Sequence, residues 1–340
     1  MSKIEKLPSG SYRTRVRYTN ESGKYCTKSF TAPTAKEVKK LVADFMSGNG
    51  EEKKEQEFLL LSDAMRQYIQ TKQNVLSPST VRGYTAYTNL YALKLQKKNI
   101  YDITQADVQK AISEEAATHS PKTIRNLHGF ISAVMRLYRP EFTLVTTLPQ
   151  KDASQIQIPT DEEVKAIIER LEGNEAKLPV MLAAYQGLRM SEVLGLKWSC
   201  IDFDRHVLKV EEARVLNAHH QYESKKPKTV SGNREIRLVQ AVENELLKTP
   251  RTDEYVVLLK GNNIFNRYQR AQKATGTNYS FHELRHYACS VMIMLGIPNK
   301  YIADMLGHAS EQMVEKVYGH IMRDKKDEFF DRLNRHFLEA

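Results

Sequence analysis

The sequence predicts a multidomain, mainly helical chain with small β-sheets: an N-terminal three-stranded sheet plus one helix, a helical domain, and a mixed α+β C-terminal domain. Three observations carry this. A chain of 340 residues is long enough for two or three domains at about 100–200 residues each. Hydrophobic residues make up 41% and charged residues 27%, with only 15 Gly and 11 Pro, which is the composition of a chain that buries cores rather than of a disordered one. Helix-capping signals recur along most of the chain, whereas period-two alternation is confined to short runs.

From Gly10 to Tyr18 the sequence alternates strictly, with Tyr12, Thr14, Val16 and Tyr18 on one face and Arg13, Arg15 and Arg17 on the other, as a half-buried strand does. Asn20-Glu21-Ser22-Gly23 supplies turn chemistry before a second strand, Lys24 to Phe30. Thr34 with Glu37 forms a capping box that opens a helix running to about Phe45. Asn49 to Glu57 contains no apolar residue and reads as a linker. Four helical patterns follow, over Phe58 to Lys72, Pro78 to Leu95, Thr104 to Ala117 and Pro121 to Leu137. Pro140 to Pro159 loses periodicity and has a linker's composition, and the capping box of Thr160 and Glu163 opens the last part. There, Val207 to Val215 and Thr229 to Leu238 are β-branched runs around a lysine-rich insert. The expected division is residues 1–50, 57–148 and 158–340, with no internal repeat.

Lys and Arg number 51 against 41 acids, a formal charge of +10, and residues 1–50 hold ten basic against four acidic residues. Such a field favours a polyanionic partner, nucleic acid first. The stripe of Arg13, Arg15 and Arg17 suits phosphates and a solvated strand face about equally. Cys26, Cys200 and Cys289 are far apart, odd in number and without a CxxC spacing, so a disulfide framework and a thiolate zinc site are not expected. No apolar run approaches the ~20 residues of a membrane span, and the expectation is a cytoplasmic protein.

The C-terminal part contains Gly187-Leu188-Arg189-Met190-Ser191-Glu192, Lys228 near the second β-run, His282-Glu283-Leu284-Arg285-His286, Leu306-Gly307-His308 and Val317-Tyr318-Gly319-His320. Singly each is weak, because an arginine near a helix start is usually a structural ion pair and any one of 17 tyrosines is an unremarkable phenol. In this order, over about Thr160 to Phe330, they resemble the tyrosine recombinase, or phage integrase, family of conjugative transposons and Gram-positive phages. The resemblance implies an arm-site DNA-binding domain at 1–50, a helical core-binding domain at 57–148 and a catalytic domain ending in a tail helix. It also implies a catalytic set of Arg189, Lys228, His282, Arg285, His308 and Tyr318, used without metal or other cofactor. Arg237, Tyr287 and Cys200 depart from the family's usual residues outside that set.

The chemistry of the residues agrees. Strand exchange without an energy source needs a covalent intermediate that keeps the phosphodiester energy, and the Tyr318 phenol suits it. Arg189 and Arg285 suit a bidentate grip on non-bridging oxygens. His282, three residues before Arg285 on one helix face, can hydrogen-bond the phosphate or accept the phenol proton, and His308 can donate to the phosphate. The leaving 5′-oxygen needs a proton, for which Lys228 is the choice, with Lys225 and Lys226 as nearby competitors. Glu192, close behind Arg189, is expected to orient active-site groups or to pack structurally rather than to transfer a proton. The spacing of His282, His286, His308 and His320 matches no metal motif.

The expected partners are double-stranded DNA, at core and arm-type attachment sites, and three further copies in a homotetramer on DNA, with room for an accessory bending or directionality factor. Asp327 to Leu338 has helix-like apolar spacing and either docks on a neighbour or folds back on its own domain. The competing functions are a type IB topoisomerase-like nicking-closing enzyme, which has no evident need of a second DNA site, and a non-catalytic DNA-binding regulator, which has no need of the six-residue set.

Overall fold

A computed structural model describes residues 4–8, 10–19, 25–47, 58–151, 157–225, 232–307, 310–312, 314–315 and 326–338. The turn expected at Asn20 to Gly23 and the whole charged stretch Asn49 to Glu57 lie outside them. The chain divides into two compact units, residues 1–60 with 98–103, and residues 61–97 with 104–340.

In the first unit, β1 (Glu5–Lys6), β2 (Tyr12–Thr19) and β3 (Tyr25–Ala32) form an antiparallel sheet in the order β1-β2-β3, and α1 (Ala35–Met46) follows. The register pairs Thr14 with Phe30 and Tyr18 with Cys26. Phe45 of α1 meets Tyr18 edge-on at 4.9 Å and Phe30 at 5.2 Å, so the helix covers the face that the alternation of β2 sets aside for apolar residues. Thr14 and Val38 are buried, while Arg15 and Arg17 are exposed and Arg13 Nε donates to Thr31 Oγ1. Thr34 and Glu37 make the reciprocal capping box that their spacing predicts. Leu60 bridges to Asn99, which delays the next helix beyond Phe58.

The second unit opens with α2 (Leu61–Lys72), α3 (Pro78–Leu90), α4 (Leu93–Gln96), α5 (Gln105–Ala116) and α6 (Pro121–Tyr138). The pattern from Pro78 to Leu95 is two helices rather than one. Ala92 sits at φ 50°, its N–H donates to the Glu115 carboxylate, and the Gln96 amide donates to the carbonyls of Tyr87 and Tyr91, which ends α3. Leu127, Phe130, Ile131 and Val134 of α6 are fully buried, and Phe130 stacks on Tyr84 at 4.1 Å. The stretch after α6, linker-like in composition, is strapped down: Gln105 and Gln109, one helical turn apart, exchange hydrogen bonds with the backbone of Thr143, Val145 and Thr147. Amide side chains there take the place of a partner strand.

Then come α7 (Asp161–Arg170), α8 (Lys177–Ala184), α9 (Met190–Gly195), β4 (Ile201–Asp202), β5 (Val207–Val210), β6 (Ala213–Leu216), β7 (Tyr222–Lys225) and β8 (Arg234–Arg237). They are followed by α10 (Gln240–Lys248), α11 (Gly261–Thr275), α12 (Phe281–Met294), α13 (Asn299–Leu306) and α14 (Lys326–Leu338). The β-branched run from Val207 to Val215 splits, because β5 joins an antiparallel sheet in the order β4-β5-β8 while β6 pairs only with β7. Every residue of α8 is buried, and α7, α10 and α12 pack around it. Its single charge, Lys177, sits in the first turn and pairs with Glu172 at 2.7 Å and Glu245 at 2.9 Å. Among the described residues no helix is long and apolar enough to cross a membrane.

Candidate active site

The turn from α8 into α9 is where the site begins. Gly187 holds φ +66°, where an L side chain is strained, and a Cβ there would lie 2.2 Å from Leu306 Cδ2, so any side chain would also displace that of Leu306. That turn presents Arg189 at the start of α9. Its backbone N–H donates to Glu192 Oε2 at 3.0 Å, its Nη1 donates to Glu192 Oε1 at 2.7 Å, and its Nη2 donates to the Gly307 carbonyl at 3.2 Å.

Arg285, on α12, is only 2% exposed. Its Nη1 donates to the Gly187 carbonyl at 2.6 Å and its Nη2 to the Leu306 carbonyl at 2.5 Å. The two arginines therefore meet at one place, the end of α13, where Gly307 turns out of the helix at φ 64°. Arg189 keeps 37% of its side chain exposed, so of the pair it is the one turned toward solvent.

Glu192 is buried, and burial alone pushes its carboxyl upward. The charge and hydrogen bonds of Arg234, with those of Arg189, outweigh this and hold it below the ordinary carboxylate range. Arg234, absent from the sequence-level set, lies on β8 with its side chain 5% exposed. Its Nη2 reaches Glu192 Oε2 at 3.0 Å, its Nη1 reaches Oε1 at 3.4 Å and its Nε donates to the Met305 carbonyl at 2.7 Å. A signal was present: β8 alternates, and Arg234 is in phase with buried Ile236 rather than exposed Glu235. An arginine on the inward face of a strand needs a buried acid.

His282 lies one turn before Arg285 on α12, and its ring meets that of His286 at 4.8 Å. Burial, then the positive charges of Arg285 and Arg189, lower the His282 imidazole below its ordinary value, so near neutral pH it keeps a lone pair able to accept a proton. Beside it lies a cleft of ≈ 530 Å³ whose wall includes Ser79 and Arg82 of α3 together with Ser191, Arg214 and Asn262. The Arg214 guanidinium stands 3.9 Å from the Tyr255 ring centroid and 5.2 Å from that of Tyr222, and the Tyr222 hydroxyl accepts the Gly261 N–H at 2.6 Å. These basic wall residues carry no motif in the sequence.

Arg189, Glu192, His282 and Arg285 are thus brought together, whereas Lys228, His308 and Tyr318 lie outside the described residues. Lys225 ends β7, and Gly307 immediately precedes His308 in sequence. Tyr287 is committed elsewhere, its hydroxyl donating to Asp161 and its pKa raised by burial and that carboxylate. Among the described residues no group of three or more His, Cys, Asp or Glu side chains converges as a metal site.

Guanidinium charge beside a histidine whose pKa is lowered, at a basic cleft, is an arrangement suited to a phosphate group. Residues 158–324 match the phage integrase family. A tyrosine recombinase XerC-like protein of Caldanaerobacter subterraneus is 24% identical over 374 aligned positions, covering 94% of each chain. A Tn1549 transposon integrase in complex with transposon right-end DNA superposes with TM-score 0.64 at 18% identity, covering 81% of this chain and 100% of its own. A lambda integrase tetramer bound to a Holliday junction does so with TM-score 0.58 at 18% identity, covering 91% and 96%. Residues 158–324 thus form a domain of the phage integrase family of tyrosine recombinases, enzymes that cleave and rejoin DNA.

The His286 imidazole is lowered from 6.5 to about 4 by burial, then by His282 and Arg285, against a smaller upward pull from Glu283. Between those values the unfolded chain binds a proton that the folded chain does not, so stability rises with pH across the window and is lost as pH falls from 6.5 toward 4. Chemical denaturation across this range should show that slope, and His286→Gln should flatten it. An imidazole NMR titration for His286 with a midpoint at or above 6.5 would contradict the assignment.

Proposed function

We propose that the chain integrates or excises a mobile element by cutting and rejoining DNA through a 3′-phosphotyrosyl intermediate on Tyr318. The observation that carries this is the convergence of Arg189 and Arg285 on the carbonyls of Gly307 and Leu306, directly before His308 in sequence. In the forward step the Tyr318 phenol oxygen bonds to phosphorus and gives its proton to His282, while the bond to the 5′-oxygen breaks and Lys228 protonates that oxygen. One phosphodiester replaces another, so a free 5′-hydroxyl of a second strand can reverse the step and release the tyrosine. Arg189 and Arg285, with His308 as a further donor, neutralise the charge that gathers on the non-bridging oxygens. Arg82 and Arg214 line a cleft suited to the flanking backbone.

The division of labour is proposed as arm-type DNA binding at 1–50 through Arg13, Arg15 and Arg17, core-site binding at 57–148 and catalysis at 158–340, on DNA in the bacterial cytoplasm. Exchange between two duplexes breaks four strands, and one nucleophile per chain then requires four chains. Phe330, Phe337 and Leu338 of α14 are 61%, 71% and 85% exposed, which favours docking of this helix on a neighbouring copy.

Tyr318→Phe removes one oxygen and no positive charge. On a nicked core-site duplex it should form no covalent protein–DNA adduct while binding within about twofold of the parent, and adduct formation by this variant would remove Tyr318 from its role. Deleting residues 1–50 should weaken arm-site binding and lower its salt dependence, since six of the ten net positive charges leave with it, while core-site cleavage survives. Unchanged arm-site binding in gel shifts would make the arginine stripe a solvated face. Truncation after Arg323 should leave single-site binding intact and abolish paired-site complexes, and undiminished tetramers in native gels would refute the docking role of α14.

A further inference from the structure

We infer that Arg234 is a positioning residue for strand cleavage, neutralising Glu192 so that the charge of Arg189 stays available to the scissile phosphate. The inference rests on the reading of Arg189 as a phosphate-facing group. The three side chains form one network, with the Glu192 carboxylate between two guanidinia: Arg189 Nη1 at 2.7 Å on Oε1 and Arg234 Nη2 at 3.0 Å on Oε2. Two positive charges on one negative leave this network at net +1, which adds to the charge of Arg285 beside it. Without Arg234 the carboxylate would cancel Arg189, and a buried charge with a single partner would draw that guanidinium inward.

Arg234 also belongs to a second arrangement. The last carbonyls of a helix have no partner within it, and at the end of α13 three successive ones are each taken by a different arginine. Met305 accepts from Arg234 Nε, Leu306 from Arg285 Nη2 and Gly307 from Arg189 Nη2, at 2.7, 2.5 and 3.2 Å. One planar guanidinium thus fixes both the acid behind Arg189 and the helix end that leads to His308. A lysine has no fork with which to copy this.

The test uses the full chain, single-turnover cleavage at saturating DNA, and two nicked core-site duplexes, one ordinary and one with a neutral methylphosphonate at the scissile position. Arg234→Gln should lose on the order of 10²-fold on the ordinary substrate, in the range for one transition-state donor, and less than about tenfold on the methylphosphonate, which carries no charge to neutralise. Arg234→Gln combined with Glu192→Gln restores the charge balance and should recover at least about tenfold over the single variant. It also leaves no unpaired buried charge, so it remains informative if Arg234→Gln alone folds poorly. A role confined to folding moves both substrates equally, and that result overturns the inference, as does a double variant that cleaves no faster than Arg234→Gln, or cleavage by Arg234→Gln within about threefold of the parent. Arg189→Ala, run in parallel, separates the two levels. Equal losses on both substrates for Arg189→Ala overturn the phosphate-facing reading and this inference with it, whereas relief for Arg189→Ala without relief for Arg234→Gln overturns this inference alone.

Discussion

A carboxylate taken out of water must be neutralised or given up, and around Glu192 that requirement ties the catalytic part of the chain together. Desolvating an ion costs several kcal/mol even after relaxation. Glu192, 7% exposed, meets the cost with hydrogen bonds from the Arg189 backbone, the Arg189 guanidinium and both terminal nitrogens of Arg234. Those donors come from the start of α9 and from β8, so one side chain holds a helix and a strand in fixed relation. Through Arg234 Nε the tie extends to α13.

The closeness of the backbone segments is the second condition. Arg285 spans the Gly187 and Leu306 carbonyls, and it can do so because the turn at Gly187 presses against Leu306 with no Cβ between them. Positive charge crowded this way would repel itself were it not shared with carbonyl dipoles and one acid. Burial, and after it the same crowded positive charge, lowers His282 and so leaves it a base near neutral pH. Packing, electrostatics and proton chemistry here are consequences of one arrangement.

Much of the frame was legible in the sequence because it is written in local patterns. The Thr34/Glu37 and Thr160/Glu163 capping boxes both form, and the alternation in β2 separates the Tyr18 face from Arg15 and Arg17. Local pattern failed where a distant partner decides. Ala92 breaks a helix with the help of Glu115, 23 residues away, and Gln105 and Gln109 pin a segment 38 to 40 residues on. The site followed the same division. Arg189, His282 and Arg285 stand in recognisable motifs, whereas Arg234 gains its role where β8 meets α9, and Arg214 where Tyr222 and Tyr255 flank its guanidinium.

Arg189, Arg285 and Tyr318 are proposed to act on a single phosphate. A crystal structure of the full chain on a nicked core-site duplex with orthovanadate in place of the scissile phosphate tests it most directly. Convergence predicts the Tyr318 oxygen apical on vanadium, guanidinium nitrogens of both arginines at about 2.7–2.9 Å from the equatorial oxygens, and the Glu192–Arg234 contact preserved. Vanadium bound away from the two guanidinia, or with another side chain apical, would contradict it.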